Sequence, residues 1–250
     1  MAGQITRTFR IRTKDEVFLG DSITANRSGT IFVASDNNTR ILTFSIFNDT
    51  AKPKAVYART FVQCPSTSDV ALRGLKSSEK RREVYILLSD VIIAFSMADA
   101  SEKFRIRLED PAQKDTSFLQ AVCCDENHTY LIVTSFHGKH AFVIPLPNSE
   151  AIPAARSVKL PLSKWTKTKG PIDNIIVDPR GHLVVQFQYD NALTVFASMK
   201  GDVPIAEWMT PNKGHVDICR FDIFPNHKTA SIFILGYPNS NNAWLLKSHH

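Results

Sequence analysis

Four aspartates, Asp36, Asp90, Asp178 and Asp190, stand in short polar interruptions between apolar segments. Two such carboxyls held about 5–10 Å apart would suit glycoside cleavage, one as acid and the other as nucleophile or base. Their neighbours argue for a humbler role. Asp36-Asn37-Asn38, Ser89-Asp90, Asp178-Pro179-Arg180-Gly181 and Tyr189-Asp190-Asn191 are turn sequences, and an aspartate in a turn ordinarily bonds its own backbone. A metal would need clustered thiolates or imidazoles. Cys123 and Cys124 with His128, and His137 with His140, are the nearest approach to that. Adjacent cysteines on a strand point to opposite faces, and two histidines flanking a glycine turn match no zinc spacing. No serine elbow, phosphate loop or dinucleotide fingerprint occurs. The expectation is a chain that is not an enzyme, with no metal, no cofactor and no small-molecule substrate.

The cations are more informative. Arg73, Lys76, Lys80, Arg81 and Arg82 lie in or beside a long second-repeat hairpin, relieved only by Glu79 and Glu83. Arg156, Lys159, Lys164, Lys167 and Lys169 surround Trp165 with no acid among them. A basic loop carrying an aromatic ring can hold a polyanion and stack on it; the competing reading is a solvated loop. Arg81, Arg82, Lys164, Trp165 and Lys167 are the expected contact residues. An acidic segment of a protein partner is the preferred occupant, and nucleic acid, RNA above all, is the alternative. Phosphate contacts would give steep salt dependence.

These residues must be positioned by a fivefold repeat. Ile41-Leu42-Thr43-Phe44, Ile92-Ile93-Ala94-Phe95, Ala141-Phe142-Val143-Ile144, Leu193-Thr194-Val195-Phe196 and Ala243-Trp244-Leu245-Leu246 close the repeats, and their last residues stand 51, 49, 52 and 50 apart. Before each closing segment come an alternating polar–apolar segment, a more apolar one, a turn, and a β-rich stretch such as Val84–Leu88 or Leu183–Phe187. Such periods in an all-β chain predict an array of small sheets. Four strands in each of five repeats arrange radially as a β-propeller, which protects most sheet edges. The chain opens on an outer-type strand and closes on a third-type strand. The stretch near Phe9 is therefore predicted to complete the sheet formed by residues 215–246. Residues 1–250 read as a single domain, with the tag-like ending Lys247-Ser248-His249-His250 leaving room for a longer natural protein.

Composition sets the class. The 250 residues are 43% hydrophobic and 22% charged with a net charge of +6, so a sizeable core is available and acidic partners are favoured. No run of 18 apolar residues predicts a spanning helix. The opening residues lack the apolar stretch of a secretory signal, and four scattered cysteines make no disulfide framework. A cytoplasmic or nuclear setting is the expectation.

The last repeat carries Gly214-His215-Val216, then Phe221-Asp222-Ile223-Phe224-Pro225-Asn226 and Ala243-Trp244-Leu245. The fourth runs from Gly170-Pro171-Ile172 through Val177-Asp178-Pro179-Arg180-Gly181-His182 to Leu193-Thr194-Val195-Phe196. In these two repeats the chain resembles WD40-type repeats; the first three match in rhythm. No repeat has a Trp-Asp pair: Phe44, Phe95 and Phe196 stand in the Trp position, followed by Ser45, Ser96 and Ala197. The repeat length also exceeds the roughly 40–45 residues usual for the family. The resemblance implies a divergent propeller that acts as a scaffold for other macromolecules, with His215 bonded within its blade. Five-bladed propellers also include glycosidases, and that remote alternative would require carboxylates converging in the central funnel.

Overall fold

The computed structural model describes residues 4–10, 23–26, 30–35, 40–47, 54–63, 72–88, 91–107, 119–124, 130–135, 141–147, 158–159, 162–178, 181–187, 190, 192–197, 203–209, 217–225, 230–237 and 242–247. Among them are twenty strands and one short helix. The first strand is β1 (Gln4–Arg10). The next four are β2 (Ile23–Ala25), β3 (Thr30–Ser35), β4 (Arg40–Phe47) and β5 (Lys54–Gln63). They are followed by β6 (Leu72–Ser78), β7 (Glu83–Leu88), β8 (Val91–Ser96) and β9 (Glu102–Arg107). Then come β10 (Leu119–Cys124), β11 (Tyr130–Ser135), β12 (Ala141–Pro145) and β13 (Val158–Lys159). The helix α1 (Ser163–Lys169) precedes β14 (Ile172–Val177), β15 (Leu183–Phe187), β16 (Ala192–Phe196) and β17 (Pro204–Met209). The last three are β18 (Asp217–Pro225), β19 (Ala230–Tyr237) and β20 (Asn242–Lys247).

The strands form five antiparallel four-stranded sheets. Four are simple meanders, β2-β3-β4-β5, β6-β7-β8-β9, β10-β11-β12-β13 and β14-β15-β16-β17. The fifth has the order β1-β20-β19-β18, so the first strand of the chain completes the sheet of the last repeat, as its phase predicts. One register recurs throughout. Each closing residue lies opposite an apolar residue within the first three positions of the strand before it: Phe44 opposite Ile31, Phe95 opposite Val84, Ile144 opposite Leu131, Phe196 opposite Leu183 and Leu246 opposite Ile232.

The chain divides into two compact units. One is Leu72–Thr210, and the other joins Ala2–Ala71 to Pro211–His250. In the first unit, the opening strands β6, β10 and β14 of three successive sheets lie side by side. In the second, β18 lies beside β2.

Alternation fixes the core of the first unit. Tyr85, Leu87, Ile92, Ala94 and Ile106 share a face of β7-β8-β9, because Tyr85 lies opposite Ala94, Leu87 opposite Ile92, and Ile92 opposite Ile106. They pack on Leu131, Val133, Phe142, Ile144 and Leu146 of the next sheet. The opposite face of β7 is buried too, and β15 and β16 are buried at every position.

Two expectations need correction. The long hairpin predicted over Leu75–Arg82 is a turn of four residues, Glu79–Arg82, because β6 runs on to Ser78, which pairs with Glu83. Leu75, Ser77 and Ser78 are buried there, so tertiary packing overrides the polar local sequence. The segment around Trp165, read as a loop, is α1. No helix among the described residues is long and apolar enough to cross a membrane.

Leu131 is fully buried between two sheets. Leu131→Ala is expected to cost about 2–5 kcal/mol. Ala197→Ser, at an exposed position, is expected to stay within about 0.5 kcal/mol. Urea denaturation followed by tryptophan fluorescence measures both.

Candidate functional site

The candidate contact residues fall into two groups on different sheets of the first unit. Arg81 and Arg82 occupy the β6–β7 turn, while Lys164, Trp165 and Lys167 lie together on α1.

The β6–β7 turn is built around a buried carboxylate. Glu83 is 4% exposed. It accepts hydrogen bonds from the Tyr85 hydroxyl at 2.6 Å, Arg81 Nε at 2.9 Å and Lys103 Nζ at 3.1 Å. A second guanidinium nitrogen, Arg81 Nη2, donates to the Pro147 carbonyl at 2.8 Å, just past the end of β12. Arg81 therefore ties one sheet to the next, and its fork is spent on internal partners. Arg82 is exposed and left-handed, with φ of 56°. A non-glycine residue pays about 1–2 kcal/mol for that backbone. The turn is held by the Arg82 N–H on the Glu79 carbonyl at 3.1 Å and the Met97 N–H on the Arg82 carbonyl at 2.9 Å. Lys80 stands exposed beside it.

α1 has only seven residues, no side-chain cap at its start and no acid in its first turn. A helix this short is not stable alone, so its anchors decide its existence. Leu162, at its start, is fully buried. The Trp165 ring meets Phe196 of β16 edge-on, with centroids 5.7 Å apart. At the far end Lys169 bonds Asp190 at 2.6 Å and also Glu207 of β17. Burial alone would weaken the Lys169 charge, but bonds to Asp190 and Glu207 outweigh it and raise its pKa above the ordinary lysine value. Gly170, at φ of 88°, ends the helix. Thr194 and Glu207 are cross-strand partners, and Phe196 lies two residues beyond Thr194, so α1 runs along the sheet face those residues share. Lys164 and Lys167 are exposed on its outer side, with Lys164 Nζ 4.7 Å from the Trp165 ring centre. Trp165 is thus half-buried as an anchor, and its Nε1 is buried without a hydrogen-bond partner.

The aspartates divide. Asp178 caps its turn: Oδ1 accepts from the His182 N–H at 2.8 Å, and Oδ2 lies 2.9 Å from His182 Nδ1. Gly181 supplies the left-handed residue of this turn, with φ of 82°. Asp190 accepts from the Ala192 N–H at 3.2 Å as well as from Lys169. Asp36, Asp90, His128, His137, His140 and His215 lie outside the described residues, as do the side chains of Cys123 and Cys124. Sequence reasoning missed the Glu83 and Lys169 networks. Glu83 read as a diluting charge, and the partners of Lys169 stand 21 and 38 residues away.

No protein-family model matches the chain, and no curated protein matches it by sequence. Solved structures do share its fold. The glutaminyl cyclase of Myxococcus xanthus is 13% identical with a TM-score of 0.58, over 99% of this chain and 98% of that one. A luciferin-regenerating enzyme is 10% identical with a TM-score of 0.59, over 93% of this chain and 78% of that one. A protein of unknown function from Bacteroides caccae is 9% identical with a TM-score of 0.57, over 94% and 83%. The expectation that the chain is not an enzyme is thereby overturned as an argument from fold: two chains of this architecture are named as enzymes.

Burial alone would raise the Glu83 carboxyl, but the bonds from Tyr85, Arg81 and Lys103 outweigh it and hold its pKa below the ordinary glutamate value. As pH falls the unfolded chain takes up this proton first. The stability from Glu83 is therefore present above the ordinary glutamate range and is lost as pH falls through the lowered folded value. Glu83→Gln is expected to cost about 1–3 kcal/mol near neutrality. It should also flatten the loss of stability between about pH 5 and pH 2, measured by urea midpoints across that range.

Proposed function

We propose that the five sheets are blades of a WD40-like β-propeller, with β1 completing the last blade, and that the chain is a docking platform for an acidic segment of a protein partner. The recurring register and the pairing of β1 with β20 support the architecture. One observation carries the function: Lys164 and Lys167 stand exposed on a helix pinned by a buried leucine, a ring contact and two carboxylates. Cations held on a fixed base lose little freedom when they meet an anion, and that preorganisation favours binding. Arg82 and Lys80, exposed on their turn, add a second cationic point.

The placement of Trp165 favours a protein segment over RNA. Base stacking needs an open ring face, whereas this ring is packed edge-on against Phe196 and covered by Lys164. Arg81, the other residue suited to phosphate, is occupied by Glu83 and Pro147.

The test is fluorescence anisotropy with labelled poly-L-glutamate and with a single-stranded RNA oligonucleotide of equal charge. The wild-type chain is expected to prefer the polypeptide at physiological salt. The double variant Lys164→Glu/Lys167→Glu should weaken that binding by about ten- to a hundredfold, while Arg82→Gly should cost less. Preference for RNA, or indifference to the double variant, contradicts the reading.

A further inference from the structure

The β14–β17 sheet ends on β17, and this edge differs from other described edges. On β9, Lys103, Arg105 and Arg107 alternate with Phe104 and Ile106, and the three cations are exposed. Charges on an edge strand discourage a further strand from pairing there. β13 offers only two residues, and β5 presents Arg59 within its exposed stretch Tyr57–Thr60. β17 and the residue before it read Val203-Pro204-Ile205-Ala206-Glu207-Trp208-Met209. Val203 and Ile205 are 55% and 52% exposed. The one charge in this stretch, Glu207, is engaged by Lys169. Pro204 sits at the first position of the strand, where its missing N–H interferes least with pairing further along.

α1 borders the same edge. Lys169 reaches Glu207, and Trp165 lies against Phe196, which is the cross-strand neighbour of Pro204. An edge strand turns alternate backbone N–H and C=O groups outward. Here that row carries the exposed Val203 and Ile205, and α1, on which Lys164 and Lys167 are exposed, reaches the same strand through Lys169 and Glu207. Ile205 is also where β17 bulges, since Val195 pairs with Ala206 but Phe196 pairs with Pro204. A bulge re-aims a side chain at an edge.

We propose that β17 is a site of strand addition, at which an extended segment of a protein partner, mixing acidic and apolar residues, becomes the fifth strand of this sheet. Backbone hydrogen bonds along β17 hold the segment, its acidic residues meet Lys164 and Lys167, and its apolar residues lie alongside Val203 and Ile205. Strand addition gains affinity from the main chain and specificity from alternate side chains, which explains why an apolar edge and a cationic helix stand together. This inference rests on the acidic-partner reading and adds the place and the backbone form of the bound segment.

The test uses a labelled eight-residue peptide alternating glutamate with valine. Two further versions are N-methylated, each on one alternate set of residues, so that each removes the donors of one strand edge. The unmodified peptide is expected to bind, and one methylated version should bind at least about tenfold more weakly than the other. Ile205→Lys places a charge on the edge and should cost about tenfold, with its melting temperature unchanged because the side chain is exposed. Lys164→Glu/Lys167→Glu should weaken binding as well. If both methylated peptides bind like the parent, or Ile205→Lys binds like wild type while the double lysine variant fails, strand addition is overturned and acidic docking stands. If the peptide fails to bind at all, or the equally charged RNA binds in its place, both readings fall.

Discussion

Strands buried on both faces are the constraint on which this structure depends. Every residue of β7, β15 and β16 is buried. A lone four-stranded sheet would leave its faces in water, so the repeats that hold these strands cannot satisfy them by themselves. Each must lie between neighbours, as β7-β8-β9 does against β11 and β12 through Tyr85, Leu87 and Ile92 on one side and Leu131, Val133 and Ile144 on the other. The recurring register follows, because a slip of one residue would exchange the faces of a strand and place its side chains against the wrong neighbours. The closing residues Phe44, Ile144 and Phe196 are fully buried at that shared position.

With the middle strands committed to packing, variation is confined to turns, outer strands and connections. That is where the cations lie. They are fixed rather than loose, because two internal ion networks extend the order of the core outward. Glu83 gathers Arg81, Tyr85 and Lys103 at one turn, and Lys169 gathers Asp190 and Glu207 at the end of α1. A charged group half withdrawn from water is costly unless its partners are in place, so these networks specify the turn and the helix more than they stabilise the chain. The same architecture hosts chains named as enzymes, and fold and function are separable in this way because function resides in the groups set on the fold.

Much of the fold was legible. The five closing segments coincide with β4, β8, β12, β16 and β20, and the phase of the chain correctly assigned the first strand to the last sheet. Apolar alternation carries that information directly. The errors share a cause. Leu75-Lys76-Ser77-Ser78 looked like a turn because its local composition is polar, yet its serines are buried and paired in the β6–β7 ladder. α1 looked like a loop because seven residues with no cap give no helical signal; what holds it is contact with Phe196, Asp190 and Glu207, all later in the chain. The site was legible only as composition. The sequence marks Arg81 and Trp165 as basic and aromatic, but their occupation depends on Pro147 and Phe196, 66 and 31 residues away. Val203 and Ile205 could be placed on an outer strand, while their exposure and their position beside α1 follow only from the packed sheet.

The central claim is that an acidic partner segment docks on α1 and the edge beside it. Hydrogen–deuterium exchange with and without the alternating glutamate–valine peptide tests it most directly, because protection reports where backbone groups are covered. The expected result is slowed exchange over residues 163–169 and 203–209, with the Glu79–Arg82 turn and β9 unchanged. Protection confined to the Glu79–Arg82 turn, or spread over no segment in particular while the peptide is bound, would contradict the account.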